Sequence, residues 1–188
     1  MQFKNSEHKY GLIAQLFHWT IVALIVTQFV LAQKAHNLPR GMELLATLAQ
    51  HKSVGITIFA LALARLIWRW INPVPPMPSS APRWQQLAAR ASHIGLYSLL
   101  LLMPLFGWMM SSARNFPVSW FGIFTLPDLV EPNEQAYHFF LAGHEILARV
   151  LFVLALVHIS AALKHHFIDH DDVLLRMLPW NRNTRARH

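Results

Sequence analysis

The chemistry open to this sequence rests on imidazole. Among 188 residues there are 12 histidines against 9 Asp and Glu together, and cysteine is absent. The missing thiols exclude disulfide frameworks, zinc ribbons, thiol catalysis and cysteine-ligated iron–sulfur clusters. Any metal or haem must therefore be held by histidine. His144 and His158 stand fourteen residues apart. On an α-helix that is a rotation of about 1400°, roughly 40° short of four turns, and a rise of about 21 Å. Both imidazoles share one helix face, near opposite ends, a spacing that suits two stacked cofactors.

The elements that must position them are membrane spans. Hydrophobic residues make up 54% of the chain and charged ones 13%, against roughly 25% charged in a soluble domain. Mean hydropathy is +0.32. With 7 Gly, 11 Pro and no low-complexity tract, collagen-like and disordered chains are excluded. Four apolar stretches, approximately 12–32, 44–71, 93–112 and 138–163, each approach the roughly 20 residues needed to cross a bilayer. The expectation is an all-α fold: an integral membrane four-helix bundle, one transmembrane domain over 1–188, with a cytoplasmic tail at 164–188. The first run is too long for the apolar region of a signal peptide, so it counts as a helix.

Breaks separate the spans: Asn37 to Gly41, the proline-rich 72–82, and a third link to about Tyr137 holding Asp128, Glu131 and Glu134. The formal charge of +7 follows topology, so no nucleic-acid partner is expected. Lys4, Lys9, Arg65, Arg69, Arg83, Arg90, Lys164, Arg176, Arg182, Arg185 and Arg187 fall on one side. Lys34, Arg40, Lys52 and Arg114 fall on the other. Both termini should therefore face the cytoplasm. Trp19, Trp68, Trp70, Trp84, Trp120 and Trp180 lie near span ends, as an aromatic belt requires. Pro104 removes one backbone donor inside the third span.

Ionisable side chains at membrane depth are costly and mark function, which selects His18, His51, His93, His144 and His158. The alternating direction of the spans matches His18 with His158 near the inner side and His51 with His144 near the outer side. A flat macrocycle also needs small neighbours. Ala14 precedes His18 by one turn and Gly55 follows His51 by one turn. Gly143 and Ala148 flank His144, and Ala155, Ala161 and Ala162 surround His158. His93 has Ala89 on one side and the bulky Tyr97 on the other. One buried histidine alone reads as a hydrogen-bonded structural residue; four at matched depths read as two bis-histidine haem sites.

The chain resembles the prokaryotic cytochrome b561 family of inner-membrane, four-helix, di-haem proteins. The matching segments are Phe17-His18-Trp19, His51-Lys52-Ser53-Val54-Gly55, Ala64-Arg65-Leu66 and His93-Ile94-Gly95-Leu96-Tyr97. They continue with Met103-Pro104-Leu105-Phe106-Gly107, Gly143-His144-Glu145-Ile146-Leu147-Ala148, His158, His165-His166-Phe167, Asp171 and Leu174 to Pro179. The resemblance implies axial ligands at His18, His51, His144 and His158, two haem b groups, and extends to oxidation of superoxide with ubiquinone as acceptor.

Other residues have plainer readings. Glu145 and Arg149 stand four apart in the favourable order for a helical ion pair. Arg65, Arg69 and Arg90 anchor to lipid phosphate at the inner interface, where a haem propionate also needs such a partner; Lys52 is placed to do the same at the outer surface. The His165–Asp172 run looks like a metal cluster but reads better as a wet juxtamembrane helix. His165 returns to the face of His158 one heptad on and is the expected quinone donor, with His93 and Arg90 as the alternative site. His138 reads as interfacial, and His8, His36 and His188 carry no signal. Bis-histidine haem leaves no open iron position, so the expected function is electron transfer across the membrane, to or from ubiquinone, with superoxide or a periplasmic donor outside. The competing readings are a membrane-anchor cytochrome serving a separate dehydrogenase and, more remotely, a histidine-lined metal-ion transporter. The latter needs span carboxylates, and Glu145, which Arg149 can occupy, is the only one.

Overall fold

The computed structural model describes residues 2–7, 9–76, 78 and 81–179. Expectations at His8, Trp180, Arg182, Arg185, Arg187 and His188 lie outside the described residues. Four helices follow in order: α1 (Leu12–Asn37), α2 (Met42–Ile71), α3 (Arg83–Ala113) and α4 (Glu134–Phe167). All four are long and apolar enough to cross a membrane. Each extends past the apolar stretch read from composition. α3 begins ten residues before His93, because the polar 83–92 segment carries no helix breaker after Pro82, which starts it. α4 begins at Glu134, where the Asn133 side chain accepts from the Ala136 N–H at 2.9 Å and caps it, and it continues through residues 164–167, which had been assigned to the tail. A bilayer surface ends an apolar run; it does not end a hydrogen-bonded ladder.

The closest packing is within the pairs α3–α4 and α1–α2, with α2–α3 joining them. At mid-height lies a wholly apolar cluster of Ile21, Val54, Ile58, Ala62, Leu99, Leu100, Met103 and Leu151. Leu151 falls midway between His144 and His158, so the cluster separates the two histidine levels. Large apolar side chains face outward along the spans, among them Val30, Ile67, Ile94, Val153 and Val157, as lipid requires. Lipid tails are as apolar as leucine, so the helices are held by close packing and by a few polar ties. One such tie is the Gln28 amide, which donates to the His51 carbonyl at 3.0 Å and links α1 to α2.

The third link forms a small antiparallel hairpin, β1 (Val118–Trp120) and β2 (Phe124–Leu126). Its turn places both Phe121 (φ 48°) and Gly122 (φ 75°) in the left-handed region. The hairpin leans on α2: Ser53 Oγ accepts from the Phe121 N–H at 3.0 Å, and Trp120 Nε1 donates to Thr57 Oγ1 at 3.0 Å. At the opposite end the segment after α4 folds back under the bundle. Gln15 donates to the Arg176 carbonyl, Trp19 to the Met177 carbonyl, and Arg176 to the Pro76 carbonyl.

Candidate functional site

Two pairs of imidazoles face one another across the bundle. His51 on α2 and His144 on α4 have ring centroids 6.2 Å apart at 71°. His18 on α1 and His158 on α4 have theirs 6.4 Å apart at 68°. These are the depth-matched partners expected from the spacing. Two metal–imidazole bonds of about 2 Å laid in opposite directions, plus the reach from each nitrogen to its ring centre, come to about 6 Å. Both separations suit one metal held between two rings.

Second contacts orient the rings. His144 Nδ1–H donates to the Met103 carbonyl at 3.0 Å, which leaves Nε2 as its ligand nitrogen, the usual arrangement for a metal-binding histidine. Gly107, one turn beyond Met103, makes room: a Cβ there would lie 3.1 Å from His144 Cε1. His18 Nδ1, His51 Nδ1 and Gln28 Oε1 are buried and have no partner. Trp68 Nε1 and Ser92 Oγ are the other such atoms among the described residues. An unsatisfied buried polar atom costs about 1–3 kcal/mol, and the three at the imidazole pairs suit sites shaped for another group. A cavity bounded by Gln28, His51, Gly55, Met103, Gly107 and His144 lies at the outer pair. The donor set, the orphaned atoms and the ring separations together fit haem.

Small neighbours divide into those that face the site and those that do not. A Cβ on Gly143 would collide with the Phe106 ring, and one on Gly55 would meet Gln28 Nε2 at 3.1 Å. Gly143 is thus needed for helix packing, whereas Gly55 meets only the end of the Gln28 side chain and lines the cavity at the outer pair. Gly107 and the Met103 carbonyl, which sequence reasoning missed, touch His144 directly. Only the tertiary fold brings them to it, although the glycine one turn after a proline-flanked carbonyl was a local hint.

The inner pair has company. His93 lies 5.6 Å from His158, centroid to centroid, so three imidazoles share this level. Arg65 and Arg69 hold their guanidinium groups 5.4 and 5.9 Å from the centre of the Tyr97 ring. Arg65 lies within electrostatic range of His18, His93 and His158, and neither arginine forms an ion pair with a described carboxylate. Burial pushes the Tyr10 hydroxyl up, with Arg69 and Arg65 opposing that shift. Tyr97, read from sequence only as an obstacle, is the platform of this cationic cluster. Arg90 is exposed and makes no contact with it.

His165 is buried at the end of α4, with Nδ1 2.6 Å from Asp171 Oδ2 and 3.3 Å from Asp169 Oδ2. Lys52 Nζ is tied to the Phe116 and Pro117 carbonyls at 3.4 and 3.3 Å, so it braces the hairpin. The Glu145–Arg149 pair forms at 3.2 Å. His138 is exposed and meets Glu134 at 3.2 Å.

A helical membrane protein with opposed histidine pairs at two depths belongs among the membrane cytochromes b, and the comparisons narrow this. A family model described as "Prokaryotic cytochrome b561" matches residues 9–180. The chain is 39% identical over 187 residues to "Cytochrome b561 homolog 2" of Escherichia coli, covering 95% of each. It is 29% identical over 163 residues to "Cytochrome b561 homolog 1" of the same organism, covering 86% of this chain and 92% of the relative. A protein of Yersinia pestis named "Probable superoxide oxidase CybB" is 26% identical over 177 residues, covering 93% and 98%. The chain belongs to the prokaryotic cytochrome b561 family, whose cofactor is haem b.

Proposed function

We propose that this protein is a di-haem b-type cytochrome that carries electrons across the bacterial inner membrane, with ubiquinone as partner at the cytoplasmic end. The observation that carries this reading is the two opposed imidazole pairs, 6.2 and 6.4 Å between centroids, on either side of an apolar layer. His51 and His144 would hold the outer haem, and His18 and His158 the inner one. Bound there, haem b with two imidazole ligands supplies outer-sphere one-electron transfer and has no open position for oxygen chemistry.

The chain's residues do the rest. The Met103 carbonyl fixes the tautomer of His144. Arg65 and Arg69 offer the charge that a propionate needs. His165 presents a ring nitrogen to a quinone carbonyl near the inner surface. The Lys and Arg distribution supports a cytoplasmic side for both termini, and so for His165. Superoxide as the outer electron donor is the finer reading, supported by the name of the Yersinia relative. The test is a haem-to-chain ratio with a reduced-minus-oxidised spectrum of the purified protein. Two low-spin b-type haems per chain are expected; one haem or none overturns the reading. Mixing the oxidised protein with superoxide then identifies the donor: haem reduction is expected, with reoxidation on adding a soluble ubiquinone analogue, and the absence of haem reduction removes superoxide.

A further inference from the structure

The turn after α4 is built with some strain. His170 takes a left-handed conformation (φ 53°), unfavourable for a residue with a Cβ. The reversal lets the Asp171 N–H bond the His165 carbonyl, six residues back, at 3.0 Å and so closes the helix end. Its result is that the Asp171 side chain swings back over α4. Asp171 Oδ2 lies 2.6 Å from His165 Nδ1, while Oδ1 accepts from the Val173 N–H at 3.0 Å. The two side chains are only 10% and 17% exposed. The carboxylate is therefore held from two sides and aimed at one ring nitrogen.

His165, Asp169 and Asp171 together have the ligand spacing of a small cation site. The Lys164 ammonium answers that possibility: it sits 2.6 and 2.8 Å from the two oxygens of Asp169, where a cation's charge would go. What is left is a buried Asp–His couple. A carboxylate can only accept, so Nδ1 is fixed as the donor, and Nε2 has no protein partner among the described residues. An imidazole held in this way has one nitrogen left to meet a ligand, and its ring cannot flip without breaking a charge-assisted bond.

We propose that Asp171 is the positioning residue of the quinone site: it locks the His165 ring so that Nε2 faces the quinone headgroup. This rests on the quinone reading of His165 given above and adds the group that holds it. Nε2 donates to a quinone carbonyl when protonated and accepts from a quinol hydroxyl when neutral. Conversion of quinone to quinol takes two electrons, passed singly by the cytochrome, and two protons. Nε2 exchanges one proton with the nearer oxygen, water exchanges the other at the far oxygen, and Nδ1–H stays with Asp171 throughout. The ring orientation serves both directions.

The experiment uses the purified haem-loaded protein and a soluble ubiquinone analogue. Asp171→Asn should keep both haems, lower kcat about tenfold, less than the roughly hundredfold or more for losing an acid–base group because the ring is loosened and not removed, and leave KM within about twofold. Asp171→Glu, which keeps the acceptor on a longer stem, should regain most of the rate. His165→Gln should be at least as slow as Asp171→Asn. A slow His165→Gln beside a normal Asp171→Asn overturns the role of Asp171 and leaves the quinone site in place. Normal kinetics in His165→Gln overturn both. An Asp171→Glu variant as impaired as Asp171→Asn, or an effect on KM alone, makes Asp171 a prop for the helix end and overturns the proposal.

Discussion

The two ends of the bundle hold similar imidazole pairs in different surroundings. At the outer pair the polar contacts come from the backbone: the Met103 carbonyl fixes His144, and Gln28 grips the His51 carbonyl. The nearby cation, Lys52, is spent on bracing the hairpin. At the inner pair the surroundings are side chains that carry charge or protons: His93, Arg65, Arg69, Tyr10, Tyr97 and, further on, His165 with Asp171. On the proposed reading, the outer level would hold a cofactor still, and the inner level would hold one and also exchange protons and attract negative groups. Similar ligand geometry can thus serve passage at one end and chemistry at the other.

The sharpest way to break this comparison is to delete ligands one at a time. His144→Ala should remove the outer haem and His158→Ala the inner one, halving the haem-to-chain ratio while leaving the other haem's spectrum intact. His51→Ala should match His144→Ala, and His18→Ala should match His158→Ala. The opposite grouping would mean the pairs are wrongly matched. A smaller effect is expected from Arg65→Gln. Removing a positive charge beside the inner pair disfavours the reduced state, so the inner haem's midpoint should fall by about 60 mV, the tenfold step for one electron, with the outer one unmoved. Redox titration of each haem band checks this.

Gly107→Ala should act at the other end and more weakly. Its Cβ would lie 3.1 Å from His144 Cε1 and 3.2 Å from Nδ1, so the ring must give by a few tenths of an ångström. The outer haem's spectrum should shift without loss, at a cost of about 1 kcal/mol in thermal unfolding. The smallest effect is one of pH. The Lys164 ammonium bonded to Asp169 holds that carboxyl below its ordinary range. A depressed folded-state pKa stabilises above the unfolded value, near pH 4, and that contribution is lost as pH falls through the folded one. The protection factor for amide exchange at Ile168 and Asp169, taken against the intrinsic rate at each pH, should therefore fall in acid and stay flat above about pH 5. The pair is exposed, so the change should be slight.

Much of the fold was legible because membrane spans advertise themselves by composition and histidines at that depth are rare. The pairing of His18 with His158 and of His51 with His144 needed only helix geometry and alternating direction. The helix ends were not legible: segments 83–92 and 164–167 are polar, and composition reports the bilayer rather than the backbone ladder. The hairpin escaped because two three-residue strands carry no periodicity, and its hold on Ser53 and Thr57 is made across the fold. Gly143 reads as room for a macrocycle, yet Phe106 fills that room, whereas Gly55 does border the cavity at the outer pair. The role of Gly107 depends on which helix lies opposite, which spacing along one chain does not state. Asp171 sits six residues after His165, past the helix end, and only the left-handed turn at His170 brings them together.

The apolar layer around Leu151, Ile21 and Ile58 has a consequence of its own. Its side chains are hydrocarbon or thioether, so the cluster itself offers nothing to relay hydrogen ions and passes electrons only by tunnelling. An electron passing between the two levels would therefore cross most of the hydrocarbon unaccompanied. Moving one charge through a full membrane voltage is worth about 2.3 kcal/mol per 100 mV. The turnover of such a protein would be electrogenic, and an energised membrane, negative inside, would slow electrons moving inward and speed them moving outward.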